Sequence, residues 1–344
     1  MRFRNVVLGL VVSAVVYFAS VSAQDLQPPR KPAPAPKEWR GLIGEYGPNS
    51  GIIYILEKEA KLCVLFKGAE TECLSEVSKN NFKYSGQGVH AGQTVVFARD
   101  TNGNAAMVSI GATKYDRRHI EPGNGAPQLK ITPLRPVSDL LREAMNAQPP
   151  KENGDFRPTD LVELKKLIPT IKLDIRYATT NNLFGTVFYS EPRAFMQRPA
   201  AESLDRVNDK LRRLGYGLLV HDAYRPWYVT KVFWDGTPDD KKIFVADPTK
   251  GSRHNRGAAV DITLFDLKTG KPADMVSTYD ETTDRAYPNY PGGTSLQRWH
   301  RQLLRDAMES EGFTVYEAEW WHFDYKDWQK YTIGNLRFDR IGGH

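Results

Sequence analysis

Cysteine is almost absent from this chain, with Cys63 and Cys73 the only two in 344 residues. Neither makes a convincing metal ligand, so any metal chemistry must rest on histidine and carboxylate. Long apolar runs are also missing. Val6 to Phe18 is apolar but too short for a confident membrane span. It follows the basic Met1-Arg2-Phe3-Arg4 and precedes the small residues Val21-Ser22-Ala23, the order of a secretory signal peptide cleaved before Gln24. With no cysteine near that point, a lipid anchor on the mature N-terminus is not expected. No segment repeats with a period of twenty to fifty residues, which excludes a solenoid. The net charge of +6 suits anionic cell-wall polymers or membrane surfaces. No basic motif interleaved with stacking aromatics accompanies it, and nucleic acid is not an expected partner.

What is present divides the chain. After the signal peptide, expected over residues 1–23, the stretch 24–37 holds five prolines in QDLQPPRKPAPAP and reads as an extended linker. Residues 38–135 read as a small all-β domain of unassigned role. Short apolar runs at Gly51–Leu56, Leu62–Phe66, Asn81–Tyr84, Thr94–Ala98 and Ala106–Ile110 alternate there with turn signals, giving five or six strands. Cys63 and Cys73 lie ten residues apart in this part, across a turn containing Gly68. In an exported protein such a pair is a candidate disulfide, the alternative being two buried thiols. A second linker is expected over 136–155, and a second folded domain over 156–344. In it, apolar residues from Ala200 to Leu214 recur at helical spacing and stop at Gly215, before the buried strand Tyr216–Val220. Leu296 to Met308 repeats the pattern before Gly312. Helices on a small, mostly antiparallel sheet make this an α+β domain.

The chemistry concentrates in two segments of that domain, Ser252-Arg253-His254-Asn255-Arg256-Gly257-Ala258-Ala259-Val260-Asp261 and Glu319-Trp320-Trp321-His322. Two imidazoles and one carboxylate can hold a zinc ion and leave one position open to water, which the metal acidifies towards a pKa of ~7. His254, Asp261 and His322 are the candidate ligands, for one zinc per chain. Glu319 as a fourth ligand would evict the water, so it fits better as the base that takes a proton from the water and passes it to a leaving amine. Residues 258–265 alternate as a strand, with Asp261 facing away from Val260, Ile262 and Leu264. Trp320 to Tyr325 reads as another strand. A regular strand would put Glu319 and His322 on opposite faces, so a bend or strand end is expected near Glu319.

The pattern Ser-x-His-x-x-Gly-x-Ala-x-Asp followed by Glu-x-Trp-His resembles the D-alanyl-D-alanine dipeptidases of the VanX-like group, within the zinc DD-peptidase and hedgehog-like fold. The resemblance extends over roughly residues 157–335 and includes Leu173–Thr179, Asp222-Ala223-Tyr224-Arg225-Pro226 and Ser277-Thr278-Tyr279-Asp280. It implies that Arg225 stabilises the tetrahedral oxyanion and that Asp280 receives the free ammonium of a dipeptide, with Tyr177 and Ser252 lining that pocket. A buried carboxylate of this kind rejects an acylated amino end, which would leave it desolvated and unpaired. The expectation is an exported, periplasmic or secreted zinc dipeptidase that hydrolyses D-Ala-D-Ala in cell-wall peptide turnover or scavenging. The alternatives are a D,D- or L,D-carboxypeptidase or endopeptidase acting on peptidoglycan stems, and a wall-binding module with a vestigial zinc site.

Overall fold

The computed structural model describes residues 26–86, 88–118 and 130–341. The signal peptide expected over residues 1–23 lies outside them. Residues 26–36 form neither helix nor strand, as their prolines dictate, yet they are not a free spacer. Trp299 Nε1 donates to the Pro29 carbonyl at 2.8 Å, the Lys31 ammonium sits 5.0 Å from the centre of the Tyr216 ring, and Ala35 is buried.

A single turn, α1 (Lys37–Arg40), leads into an antiparallel meander of eight strands: β1 (Gly44–Tyr46), β2 (Ile53–Lys58), β3 (Lys61–Phe66), β4 (Thr71–Ser78), β5 (Asn81–Tyr84), β6 (Thr94–Arg99), β7 (Ala105–Ile110) and β8 (Thr113–Asp116). The all-β expectation stands, but five or six strands was too few. β1 and β8 are very short, and β4 carries Glu72, Ser75, Glu76 and Ser78 around one fully buried side chain, Leu74, so its apolar pattern is too faint to read. A bridge between Tyr46 and Arg117 brings the end of the meander back to its first strand. The Arg117 guanidinium fastens the seam by donating to the carbonyls of Gly41 (2.9 Å) and Ile43 (2.7 Å) and to the Tyr46 hydroxyl (2.9 Å). Cys63 lies opposite Cys73 in the β3–β4 register, and their sulfurs are bonded.

The uninterrupted apolar run Ile52–Leu56 makes β2 a strand buried on both faces. Ile53 and Ile55 belong to the core of the meander, while Ile52, Tyr54 and Leu56 pack into the core of the C-terminal half.

The stretch 136–155 differs from the expected linker. It contains the helix α2 (Val137–Asn146), which Pro136 opens at the N-cap position instead of breaking, and which buries Leu140 and Ala144. Glu152 beyond it is docked as well, accepting from Arg256 Nη2 at 2.5 Å and from the Ile333 amide at 2.7 Å.

In the C-terminal half, β9 (Leu161–Glu163) leads into the short helix α3 (Leu164–Leu167) and then β10 (Lys172–Leu173). Next come β11 (Phe195–Gln197), α4 (Arg198–Arg213), β12 (Tyr216–Asp222), α5 (Trp227–Gly236), β13 (Ala259–Asp266), α6 (Ser295–Glu309), β14 (Phe313–Tyr316) and β15 (Glu319–Tyr325). Five strands form one sheet in the order β10-β12-β13-β15-β14, antiparallel except for the β10–β12 pair. α4 and α6 cover it, each presenting an apolar stripe: Leu204, Val207 and Leu211 on one, Leu303, Leu304 and Ala307 on the other. β12 is an interior strand, buried along its whole length, which is why Tyr216-Gly-Leu-Leu-Val reads as a continuous apolar run.

Candidate metal centre and active site

His254 stands in a one-turn 3₁₀ segment, Arg253–Arg256, whose entry is fixed locally. The Ser252 hydroxyl accepts from the His254 amide at 3.3 Å, and Asn255 Oδ1 accepts from the Ser252 amide at 2.7 Å, a reciprocal cap. Gly257 closes the turn at φ +66°, where a Cβ would come within 2.5 Å of Leu161 Cδ2, so both conformation and space require glycine. The chain then enters β13, whose register sets Asp261 directly opposite His322 on β15.

The expected irregularity near Glu319 is a slip in the β14–β15 ladder. Val315 pairs with Phe323, and the next residue, Tyr316, pairs with Glu319 where an unbroken ladder would give His322. This jump carries Glu319 to the same side as the histidine, and its Oε2 lies 3.9 Å from His322 Nδ1.

Three donor atoms converge. His254 Nε2 is 3.1 Å from His322 Nδ1 and 3.3 Å from Asp261 Oδ1, and His322 Nδ1 is 3.0 Å from the same oxygen. The outer ring nitrogens decide the tautomers. His254 Nδ1 lies 2.7 Å from the Ala223 carbonyl, which can only accept, so Nδ1 carries the proton. His322 Nε2 lies 3.0 Å from Asp324 Oδ1 and is assigned its proton in the same way. With these protons placed outward, two imidazole lone pairs and a carboxylate oxygen face one another with no hydrogen between them. That arrangement fits a cation, and the outward hydrogen bonds are those that orient metal-bound histidines. Without a cation between them, burial opposes charge on His322, but the Asp261 and Asp324 carboxylates outweigh it and push the imidazole up to about 10, so a bound cation would displace a proton from Nδ1. The same two imidazoles overcome burial at Asp261 and hold its carboxyl well below the usual range.

A cavity of ≈ 600 Å³ opens beside these atoms, and all eight residues singled out in the sequence border it: Tyr177, Arg225, Ser252, His254, Asp261, Asp280, Glu319 and His322. Glu319 keeps 38 % of its side-chain surface accessible, yet protein encloses it on most sides. That desolvation raises its carboxyl above the ordinary range, with Asp261 adding to the effect and His322 and His254 opposing it. Arg225 is buried, with its plane against Tyr177 and Phe233 at 5.0 and 5.5 Å, and its Nε and Nη2 donate to Asp222 Oδ2 at 3.0 and 2.8 Å. Asp280 sits at φ +60°, a left-handed conformation that aspartate and asparagine adopt more readily than other non-glycine residues. The Tyr177 hydroxyl approaches its Oδ2 at 3.5 Å. Burial, then the nearby Asp261 and Glu319 carboxylates, push Asp280 up to about 8.

The structure adds residues to which sequence reasoning gave no role. Asp222 accepts from both Arg225 and the Tyr189 hydroxyl (2.7 Å). Tyr279 donates its hydroxyl to Asp261 Oδ2 at 3.0 Å while its ring stacks on His221 at 4.5 Å. Asp324, two residues after His322 on the same strand face, was findable from the strand period. No pattern in the sequence points to the Tyr279 contact.

A buried His–Asp–His donor set, an adjacent raised carboxylate and a braced arginine share one cavity, the groups that a metallopeptidase site would require. The peptidase M15 family model, described as D-ala-D-ala dipeptidase, matches residues 157–338. Among curated proteins, the D-alanyl-D-alanine dipeptidase of Escherichia coli is 31% identical over 175 residues, covering 51% of this chain and 89% of the relative. That of Enterococcus faecalis is 32% identical over 182 residues (48% and 90%), and that of Streptomyces coelicolor 30% over 192 residues (51% and 93%). The chain belongs to the D-Ala-D-Ala dipeptidase family of M15 peptidases. The strands of the N-terminal meander lie outside the matched residues.

Proposed function

We propose that the protein is a zinc-dependent D-alanyl-D-alanine dipeptidase, exported by the signal at residues 1–23 and acting in cell-wall peptide turnover or scavenging. The observation that carries this reading is the convergence of His254, Asp261 and His322 donor atoms beside Glu319 and the buried Asp280 in one cavity. His254 Nε2, Asp261 Oδ1 and His322 Nδ1 would hold the zinc, which when bound supplies Lewis-acid polarisation and an acidified water. Glu319 removes a proton from the attacking water and delivers it to the leaving nitrogen, a role suited to a carboxyl raised by burial. Arg225, held by Asp222 through Nε and Nη2, offers its remaining donors to the oxyanion that develops on the scissile carbonyl. Asp280 receives the substrate's free ammonium, with Tyr177 and Ser252 beside it.

Charge supports the pairing. Four carboxylates (Asp222, Asp261, Asp280, Glu319) against one guanidinium (Arg225) leave a formal −3 around the pocket. A divalent ion and one ammonium cancel it. The fold assignment to the zinc DD-peptidase and hedgehog-like class rests on the motif order and on the antiparallel sheet that carries it. The bonded Cys63–Cys73 pair supports a compartment that preserves disulfides. Among the described residues no helix is long and apolar enough to cross a membrane.

The deciding experiment compares D-Ala-D-Ala with its N-acetylated form on the purified, zinc-loaded protein. The free dipeptide is expected to be cleaved and the acetylated one to be nearly inert, with Asp280→Ala eroding the preference chiefly by lowering dipeptide turnover. Comparable cleavage of both by the wild-type protein would overturn the dipeptidase reading in favour of a carboxypeptidase.

A further inference from the structure

We infer that the N-terminal β-sheet is a positioning element of the catalytic pocket, clamping the segment that runs on from Asp280 through the carboxylates Glu45 and Glu57. The inference rests on the dipeptidase reading of Asp280 and deepens it.

The segment begins at the pocket. Asp280 is followed by Glu281, which is buried and cross-braced within the loop: it accepts from the Thr278 amide at 3.2 Å, and Arg285 Nε lies 3.3 Å from its Oε1. Arg285 in turn donates to the Val276 carbonyl at 2.7 Å. The loop is therefore cross-linked within itself, and its far end is held by the other half of the protein. The Tyr290 hydroxyl donates to Glu45 Oε1 at 2.8 Å, the Tyr54 and Tyr290 rings meet edge to face at 5.7 Å, and Arg118 Nε holds the second Glu45 oxygen at 3.2 Å. A few residues on, Glu57 makes a second grip. Its amide donates to the Gly293 carbonyl at 3.1 Å, its Oε2 accepts from the Ser295 amide at 2.7 Å, and its backbone carbonyl accepts from Arg298 Nη2 at 2.7 Å.

Glu45 and Glu57 are both almost fully buried, at 5 % and 2 % exposure. Buried carboxylates are retained only where their bonds are satisfied, and here one oxygen of Glu45 and both of Glu57 accept from the Asp280-bearing half, the rest being supplied by Arg118 and the Ala60 amide. Asp280 gains from such support, because its left-handed backbone costs some free energy that a firmly held loop offsets. Glu45 and Glu57 touch no reacting atom. They act through the position of Asp280.

The test uses the full chain loaded with zinc. Tyr290→Phe removes one hydroxyl and keeps the ring packing, and Glu57→Gln is the independent second variant. Each is expected to lower kcat for D-Ala-D-Ala by roughly three- to ten-fold with KM changed less, the same split expected of Asp280→Ala itself. In an Asp280→Asn background the Tyr290→Phe effect on kcat should shrink below about two-fold, since both changes then act on one interaction. Amide hydrogen exchange needs no substrate and should quicken across residues 281–290 in both variants. Unchanged exchange and unchanged kcat in both, or kcat effects that multiply in the double variant, overturn the clamp. Failure of the wild-type protein to cleave D-Ala-D-Ala overturns the activity reading alone, because exchange still decides the clamp.

Discussion

Tyr279 donates its hydroxyl to Oδ2 of Asp261, and this leaves Oδ1 as the only oxygen of that carboxylate facing the two imidazoles. The tyrosine fixes the carboxylate plane, and if Asp261 holds a zinc it would favour ligation through one oxygen, as hydrogen-bond partners behind metal ligands do. Tyr279→Phe keeps the stack on His221 and deletes the bond. Zinc affinity, measured by competition with a chromogenic chelator, is expected to fall about 10- to 100-fold with the fold intact. An affinity equal to that of the wild-type protein would remove Tyr279 from the metal site.

Ligand and base separate by metal content. His254→Ala or His322→Ala should lose bound zinc and activity together, whereas Glu319→Gln should retain zinc while turnover falls by at least ~10². Metal analysis alongside initial rates distinguishes the cases. Loss of zinc from Glu319→Gln would make the glutamate a ligand.

His300 gives a pH dependence remote from the catalytic pocket. It is buried on α6 between the Tyr216 hydroxyl (3.0 Å) and the Asp274 carbonyl (3.0 Å), and burial lowers its pKa despite the carbonyl's opposing effect. The unfolded chain therefore binds a proton at higher pH than the folded one. Stability is lost as pH falls through about 6.5, the unfolded value, and settles only below the lowered folded value. His300→Gln should flatten this part of the stability curve, read as urea midpoints between about pH 8 and pH 5. A slope identical to that of the wild-type protein would mean the histidine does not titrate differentially.

The Cys63–Cys73 bond closes a loop within β3 and β4, at the strand beside β2. Reduction is expected to cost roughly 2–4 kcal/mol of stability, visible as a lower unfolding midpoint in the presence of a thiol reductant. Insensitivity to reductant would show two free thiols.

The sequence carried the site better than the architecture around it. His254, Asp261, Glu319 and His322 were legible because a metal site needs particular atoms at particular spacings, and the conflict between Glu319 and His322 on a regular strand announced an irregularity that the ladder slip supplies. Asp222 and Tyr279 were not legible in role. Tyr279 reaches Asp261 across 18 residues and Tyr189 reaches Asp222 across 33, contacts that no local pattern encodes, while the Asp222–Arg225 pair lies within one short motif whose bracing role the residue types alone do not announce. Residues 136–155 misled because prolines at both ends suggested a linker, although Pro136 opens α2 and Leu140 and Ala144 are its buried stripe. In the meander, β4 escaped because an edge of charged and hydroxyl side chains hides the period-two signal.

Since successive side chains of β2 serve different cores, Ile53 and Ile55 one and Tyr54 and Leu56 the other, no cut beside this strand leaves both with their full packing. A truncated peptidase beginning after the meander would expose the apolar floor that Ile52, Tyr54 and Leu56 cover, together with the start of α6 that Glu57 caps. The two halves should therefore melt in a single calorimetric transition, and a chimera that borrows another front end must bring its own substitute for that one strand.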